Sequence, residues 1–359
     1  MALTGAMSAG ISGLKAHMDA LTVVGNNVAN VNTYGYKPGR VTFKESIYST
    51  QAAGSDGTAT VGGTNPRQTG YGCSVGTIDL DMSSMNVEST GNGADVAIQG
   101  DGFFLVGDKT GVSIDNLDSL MLTRVGKFRI DNNGYLTDNY GNIVYGFAAC
   151  NMDADGKAGE AGLNGDGYST QLVPLRLPLA ASEADKPTGA AVGDAIYPGV
   201  DDANGTNVYG DYASNGCITY NSLSIGADGK VTCVNDKTGD PVTIGYIAMA
   251  TVPNPAGLTH TEGPYYKAME GAGKMSINTA GGALAGQYLN NMEADDAGAS
   301  LDTMLGKGSD LLSGFLEQSG TDLATEFANM ITYQRGYQAN TRIVTVTDSM
   351  LEELVNMKR

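Results

Sequence analysis

The sequence lacks several features that define common functional classes. It contains no tryptophan, two histidines and four cysteines in 359 residues. Cys73, Cys150, Cys217 and Cys233 are widely separated and form no Cys-x-x-Cys pair, so they predict neither a zinc site nor a disulfide framework. No apolar run reaches the length of a membrane span, and residues 1–13 lack the basic start and apolar centre of a signal peptide. Composition alone therefore favours a cytoplasmic protein with buried free thiols.

Positive charge is scarce, and the acidic excess is unevenly placed. Lys and Arg number 21 against 39 Asp and Glu, a net charge of −18, which argues against nucleic acid and anionic membranes as partners. The net charge is +2 for residues 1–40 and −1 for residues 321–359, so that −19 falls on residues 41–320. Nearly neutral ends can pack among identical copies, whereas an acidic middle must face solvent. This distribution fits a filament with its chain ends inside.

The first strongly periodic segment lies at the N-terminal end. Its apolar residues recur in steps of four and three, which predicts a helix with a narrow apolar stripe that needs a partner. Asparagines then interrupt the pattern, and Gly35 and Pro38 end the helix. The stripe consists of Met7, Ile11, Leu14, Met18, Leu21, Gly25 and Val28, and the turn contains Asn26, Asn27, Asn30 and Asn32.

The C-terminal end repeats the same spacing, and no proline interrupts residues 321–359. Two interpretations remain open: the two ends are ordinary amphipathic helices of one core, or they pair and also pack against other copies. Placing both patterned helices at the extreme ends of the chain favours the second. The positions are Leu323, Phe327, Met330, Gln334, Tyr337, Thr341, Val344, Asp348, Leu351 and Val355.

Between the ends, short strand-like stretches alternate with glycine turns such as Asn92-Gly93 and Asn133-Gly134, which predicts antiparallel β structure. Residues 49–70 are predicted to be a loop or connector, and residues 271–309 show no clear strand. The predicted strands are Ser74–Met82, Asp95–Gln99, Gly102–Val106, Met121–Val125, Lys127–Ile130, Gly134–Thr137, Ile143–Ala148, Ser222–Ile225, Lys230–Val234 and Val242–Val252.

These patterns predict an α+β multidomain protein in which coiled-coil-like terminal helices pair and antiparallel β domains are inserted between them. Residues 1–45 and 318–359 form the helical core, and residues 46–149 and 216–317 form the β-rich middle with its connector. Residues 150–215, rich in Gly, Asp, Pro and Ala, form a small outer inserted domain.

Two motifs suggest chemistry, and both have simpler explanations. Gly72–Gly76 matches the Gly-x-Ser-x-Gly of serine hydrolases, but the residues after Ser74 alternate as in a strand, whereas that motif needs a helix there. His17 lies in the terminal helix and His260 in a predicted loop. Asn151–Gly156 imitates the start of a calcium loop, yet Gly162 stands where such loops place glutamate. The sequence therefore predicts no enzyme, cofactor or metal site.

Four blocks closely resemble the bacterial flagellar rod and hook protein family. They occur in the family's order and include both ends of the chain, with Asn340 closing the last block. One departure is Ser319–Leu323, where the family usually has Ser-Asn-Val-Asp-Leu. Within the family, the length and Asn65–Gly72 are more similar to the hook branch than to the shorter rod branch. The blocks are Ser12–Leu14 with Gly25–Lys37, Ile98–Phe104, Thr123–Phe128 and Glu326–Asn340.

The resemblance implies a subunit that polymerises with itself into a curved, flexible tube and carries motor torque from rod to filament. It further implies rod, hook-cap and hook–filament junction proteins as partners. Export by the flagellar secretion apparatus, without a cleaved signal peptide, would place the chain outside the cell. The alternatives are a subunit of the straight distal rod or, from a different class, a secreted hydrolase or binding module.

Overall fold

The computed structural model describes residues 2–56, 62–108, 120–150, 167–168, 172–177, 195–198, 209–213, 220–235, 241–282 and 309–357. Two long helices, α1 (Ala2–Ala29) and α2 (Leu323–Met357), stand at the two ends of a chain whose remaining regular structure is almost entirely antiparallel strand. The predicted α+β class is confirmed. Neither helix is long and apolar enough to cross a membrane.

The strands are short, as the frequent glycine turns predict. They are β1 (Gly39–Glu45), β2 (Tyr48–Ala52), β3 (Arg67–Gly70), β4 (Cys73–Leu80), β5 (Val87–Ser89), β6 (Val96–Gln99), β7 (Phe103–Gly107), β8 (Met121–Thr123), β9 (Arg129–Ile130), β10 (Leu136–Thr137), β11 (Ile143–Cys150), β12 (Gly167–Tyr168), β13 (Val173–Pro174), β14 (Ala195–Pro198), β15 (Tyr209–Ala213), β16 (Tyr220–Ile225), β17 (Lys230–Asn235), β18 (Pro241–Thr251), β19 (Thr259–His260), β20 (Tyr265–Lys267), β21 (Ser276–Thr279), β22 (Asp310–Ser313) and β23 (Phe315–Glu317).

The chain divides into two compact units. The helical unit comprises Met1–Thr33, Lys37–Asp81 and Ser319–Arg359, and the β unit comprises Tyr34–Tyr36 and Met82–Gln318. In the helical unit β1 pairs with β4, and β2 pairs with β3, both antiparallel. The prediction that residues 49–70 are a loop is therefore wrong at both ends of that segment. Threonine and glutamine form this small sheet, with few apolar residues that could have indicated strands.

The β unit is built around one antiparallel sheet, in which the described strands follow the order β16-β17-β18-β11-β7-β8-β20-β19. The central strands are buried on both faces; every residue of β7 is buried, for example. The core that they form includes Val96, Ile98, Phe104, Val106, Phe128, Leu136, Val144, Leu175, Leu177, Ile225, Val231, Ile244, Ile247, Met249 and Leu311. The β unit therefore has a core of its own.

Two successive turns of the β unit share one construction. Asp131 and Asp138 each accept backbone N–H bonds, through one carboxylate oxygen, from the residues two and four positions later. Gly134 (φ 89°) and Gly141 (φ 91°) occupy the left-handed region that these turns require. The Asp and Gly spacing thus sets the ends of β9, β10 and β11.

Several predictions made for the rest of the β unit need correction. The segment 271–309 contains the strand β21, which its Gly- and Ala-rich composition did not indicate, and His260 lies in β19 rather than in a loop. The calcium-like segment Asn151–Gly156 lies outside the described residues, as does most of the predicted inserted domain 150–215.

Candidate assembly surface of the terminal helices

In the helical unit, α1 and α2 approach each other where a glycine of one helix faces a side chain of the other. A β-carbon placed on Gly13 would lie 2.7 Å from the Asn340 side-chain nitrogen, and one on Gly336 would lie 2.6 Å from His17 Nε2. Such distances are shorter than real β-carbon contacts. Gly13 and Gly336 therefore allow the two helices to come this close.

The face of α1 that is buried in the helical unit is lined by small and medium residues. Its members are Gly10, Gly13, Ala16, Ala20, Val24 and Asn27. The predicted stripe lies beside this face: Ile11 is 38% exposed and Met18 49% exposed. Met7, Leu14, Leu21 and Val28 are half-buried, and Gly25 is exposed. Most of the larger apolar side chains of α1 thus remain partly open to solvent in the single chain.

The predicted α2 positions divide in the same way. Of the described α2 residues, Thr347 alone is fully buried. The half-buried positions are Met330, Tyr337, Asn340, Thr341, Val344 and Leu351, whereas Leu323, Phe327, Gln334, Asp348 and Val355 are exposed. The structure therefore turns roughly half of the predicted α2 stripe toward the interior of the helical unit and leaves the other half exposed to solvent.

Sequence reasoning missed a second apolar face on α2. Its side chains are between 46% and 53% exposed and recur in steps of three and four, a signal that could have been read from the sequence. Large exposed apolar patches on soluble proteins commonly mark interaction surfaces. We call it the outer α2 face: Ile343, Val346, Met350 and Leu354.

Asn26 and Asn27, predicted to lie in the turn that ends the helix, instead lie inside α1, which continues to Ala29. One of these side chains connects three elements. Asn27, only 1% exposed, donates from Nδ2 to the Gly39 carbonyl (2.9 Å) and to Glu326 Oε1 (3.1 Å), and Asn27 Oδ1 accepts from Gly39 N–H (3.0 Å). Asn27 therefore fastens the start of β1 and the first turn of α2 to α1. The neighbouring Asn26 is exposed, and Asn30 donates to its carbonyl (2.9 Å).

The start of α2 is capped despite its unusual sequence. Asp322 accepts a hydrogen bond from the Thr325 hydroxyl (2.6 Å) and another from Ala324 N–H (3.1 Å), and these bonds lower the pKa of its carboxyl. Burial raises the pKa of the Glu326 carboxyl, although the Asn27 bond opposes this shift. The pKa shifts of the two carboxylates differ in direction because Asp322 is solvated and accepts two hydrogen bonds at the helix start, whereas Glu326 is partly covered by α1.

The serine-hydrolase motif does not form a nucleophile elbow. Ser74 lies inside the continuous strand β4, directly opposite Lys44 of β1. A nucleophile elbow requires a sharp turn that enters a helix at the serine. The predicted strand is therefore confirmed, and it removes the geometric basis for a hydrolase at this position.

Comparisons with known proteins match both ends of the chain. Residues 7–37 match a family described as "Flagella basal body rod protein", and residues 312–357 match one described as "Flagellar basal body rod FlgEFG protein C-terminal". These matches include the helix ends that Asn27 and Glu326 join.

Relatives extend the similarity over nearly the whole chain. The flagellar basal-body rod protein FlgG of Bacillus subtilis is 35% identical, over 98% of this chain and 97% of its own. The flagellar hook protein FlgE of Borreliella burgdorferi is 28% identical (97% and 98%), and that of Salmonella typhimurium is 25% identical (98% and 99%). The chain belongs to the family of bacterial flagellar rod and hook proteins.

Proposed function

We propose that this protein is a structural subunit of the bacterial flagellar hook, which assembles with copies of itself into a curved, flexible helical tube. The observation that carries the proposal is the uncovered apolar surface of α1 and α2. The partly exposed apolar stripe of α1 and the outer α2 face present apolar side chains that a single chain does not bury. Neighbouring copies would bury them.

The distribution of exposed apolar residues supports assembly through the helical unit. The large apolar side chains that are exposed in the described part of the chain belong to this unit, except Tyr34, Val87, Tyr140 and Met269. The acidic excess, in contrast, lies between residues 41 and 320. Subunits joined through their nearly neutral helices keep this negative charge at the outside of the tube, where water and salt screen it.

In this proposal, residues 1–45 and 318–359 form the tube core, with α1 and α2 paired as in a coiled coil. Residues 46–149 and 216–317 form the middle layer, and residues 150–215 form an outer domain. Contacts between copies run head to tail, because such contacts generate open helical symmetry instead of a closed ring. The resulting coupling transmits motor torque from the rod to the filament.

The distal rod is the second candidate, and each branch has an observation in its favour. The length of the chain, the block Asn65–Gly72 and the inserted region 150–215 favour the hook. The 35% identity to a relative named as a rod protein favours the rod. In both branches the chain is structural, acts without a cofactor and is not an enzyme.

The proposed partners are further copies of the chain, the rod, the hook cap and the hook–filament junction proteins. The proposed location is the flagellum outside the cell, reached through the flagellar export apparatus without cleavage of a signal peptide. The negative net charge leaves nucleic acid and anionic membranes out of this scheme, and the lack of a long apolar run leaves out membrane insertion.

Negative-stain electron microscopy of the full-length protein, concentrated in high salt, tests the proposal. Curved tubes support the hook, and straight tubes support the rod. Deletion of residues 1–30 or 330–359 should abolish tubes while the β unit stays folded by circular dichroism. Tubes formed by either deleted chain would refute assembly through the terminal helices.

A further inference from the structure

The chain connects the β unit to the helical unit through three segments. Tyr34–Tyr36 belongs to the β unit although the residues on both sides of it belong to the helical unit. The chain returns to the β unit at Met82 and leaves it after Gln318. We call these the three connecting segments, and all of the contacts described below lie within the β unit.

The three connecting segments are hydrogen-bonded to one another around a single residue. Gly35 N–H donates to the Glu317 carbonyl (2.8 Å), and Met85 N–H donates to Glu317 Oε1 (3.0 Å). Gln318 N–H donates to the Asn86 carbonyl (2.9 Å), which continues the antiparallel pairing of β23 with β5. Glu317 therefore binds the first and second segments from the start of the third.

The Glu317 carboxylate is buried and faces a buried cation. The side chains of Glu317 and Arg124 are each 1% exposed, and Arg124 Nη1 lies 3.6 Å from Glu317 Oε2. Arg124 Nη2 donates to the Gly100 carbonyl (2.9 Å), and its guanidinium lies 5.4 Å from the centre of the Phe103 ring. The guanidinium is thus held by the connection between β6 and β7 and by the first residue of β7, and it contacts Glu317 in turn.

The backbone of Gly35 packs closely against Arg124. Its φ of +66° lies in the left-handed region, and an added β-carbon would lie 3.2 Å from the carbonyl carbon of Arg124. A side chain at position 35 would therefore push the first segment away from the core. The Gly35 of the family-like N-terminal block and the Arg124 of the third block meet at one point.

We propose that the buried Arg124–Glu317 pair is a clamp that fastens the three connecting segments to the core of the β unit. A surface contact could be lost at one segment without affecting the others. Loss of either charge removes this buried ion pair, so the three segments loosen together. In the tube, and only if the proposed function is correct, the clamp directs force arriving through these segments into the core rather than into the two-stranded sheet of β5 and β23.

Hydrogen exchange of the full-length, unassembled protein tests the clamp. Exchange is followed by mass spectrometry on peptides that contain Gly35, Met85 and Gln318. We expect Glu317→Gln and Arg124→Met each to speed exchange at all three amides by about tenfold or more. The reason is that the local unfolding that exposes these amides to water then costs less free energy. The matched control is Glu88→Gln. Glu88 accepts bonds from the Tyr34 and Gln318 side chains but is exposed, so its loss should change exchange little.

Faster exchange at only one of the three amides, or the same small change as in Glu88→Gln, would overturn the clamp. If both charge-removing variants fail to fold, exchange at the same three amides is measured for Arg124→Lys. It keeps the positive charge but cannot reach Gly100 and Glu317 together. The double variant Arg124→Met/Glu317→Gln should be less disturbed than the sum of the single variants. Because the protein is unassembled, these results are independent of whether it forms tubes.

Discussion

Replacing Met350 by alanine should weaken assembly without weakening the subunit. Met350 belongs to the outer α2 face and is 48% exposed. Exposed substitutions usually change stability by no more than about 0.5 kcal/mol, and alanine favours a helix at least as well as methionine does. The free energy of unfolding of the unassembled subunit should therefore stay nearly constant.

The effect on assembly follows from the area still open to solvent. Complete burial of a methionine side chain contributes about 1.5–3 kcal/mol. Since about half of the Met350 side chain is already covered, a neighbouring copy can gain roughly 1 kcal/mol from covering the remainder. Alanine loses most of this gain. A loss of about 1 kcal/mol raises the critical concentration for tube formation about fivefold.

The assay is sedimentation of assembled tubes over a protein concentration series, together with thermal unfolding of the unassembled chain by circular dichroism. The matched control is Met269→Ala in the β unit, which makes the same substitution at a 56% exposed methionine. The control should leave the critical concentration unchanged. Equal critical concentrations for Met350→Ala and the parent would refute burial of the outer α2 face.

Three further predictions concern the helical unit. Asn27→Ala should lower the free energy of unfolding by about 1–3 kcal/mol, because the half-buried Gly39 backbone groups lose their bonds to the Asn27 side chain. The exposed Asn26→Ala should change thermal unfolding little. Burial raises the pKa of Glu326 above its ordinary 4.5, so its stabilising contribution is complete below that value and is lost as pH rises through the folded-state pKa. The stability of Glu326→Gln relative to the parent should therefore increase from about pH 4 to pH 7 in urea titrations, and a difference independent of pH would contradict the assignment. Gly336→Ala should destabilise the helical unit because its β-carbon would meet His17, whereas Gly25→Ala, which has open space, should stabilise it by about 0.5–1 kcal/mol. Stabilisation by both alanines in thermal unfolding would show that close approach of the helices is not required.

Local patterns predicted the elements of this protein well. The strands β4, β6, β7, β11, β17 and β18 lie within two residues of their predicted bounds, because alternating residues and glycine turns act over short distances. The polar pair β2 and β3 was missed for the same reason. Its strands are held by hydrogen bonds between chain segments, such as that from Gln68 to Thr50, and not by an apolar pattern.

The sequence could not show which helix faces are buried. The apolar period of α1 pointed to Ile11 and Met18, whereas the structure buries the Gly and Ala residues beside them. Periodicity records where large apolar residues recur. Burial within one chain also depends on how closely a second helix can approach, and Gly13 and Gly336 decide that distance.

By itself, the sequence determined the two terminal helices, the antiparallel strands between them and the family, because these follow from local spacing and from blocks of residues that can be compared directly. The tertiary structure alone decided that Asn27 holds Glu326 across 299 residues and that Arg124 meets Glu317 in the dry interior of the β unit. Such pairs carry no local pattern. They become visible only when folding brings distant segments together and removes the water that would otherwise satisfy their polar groups.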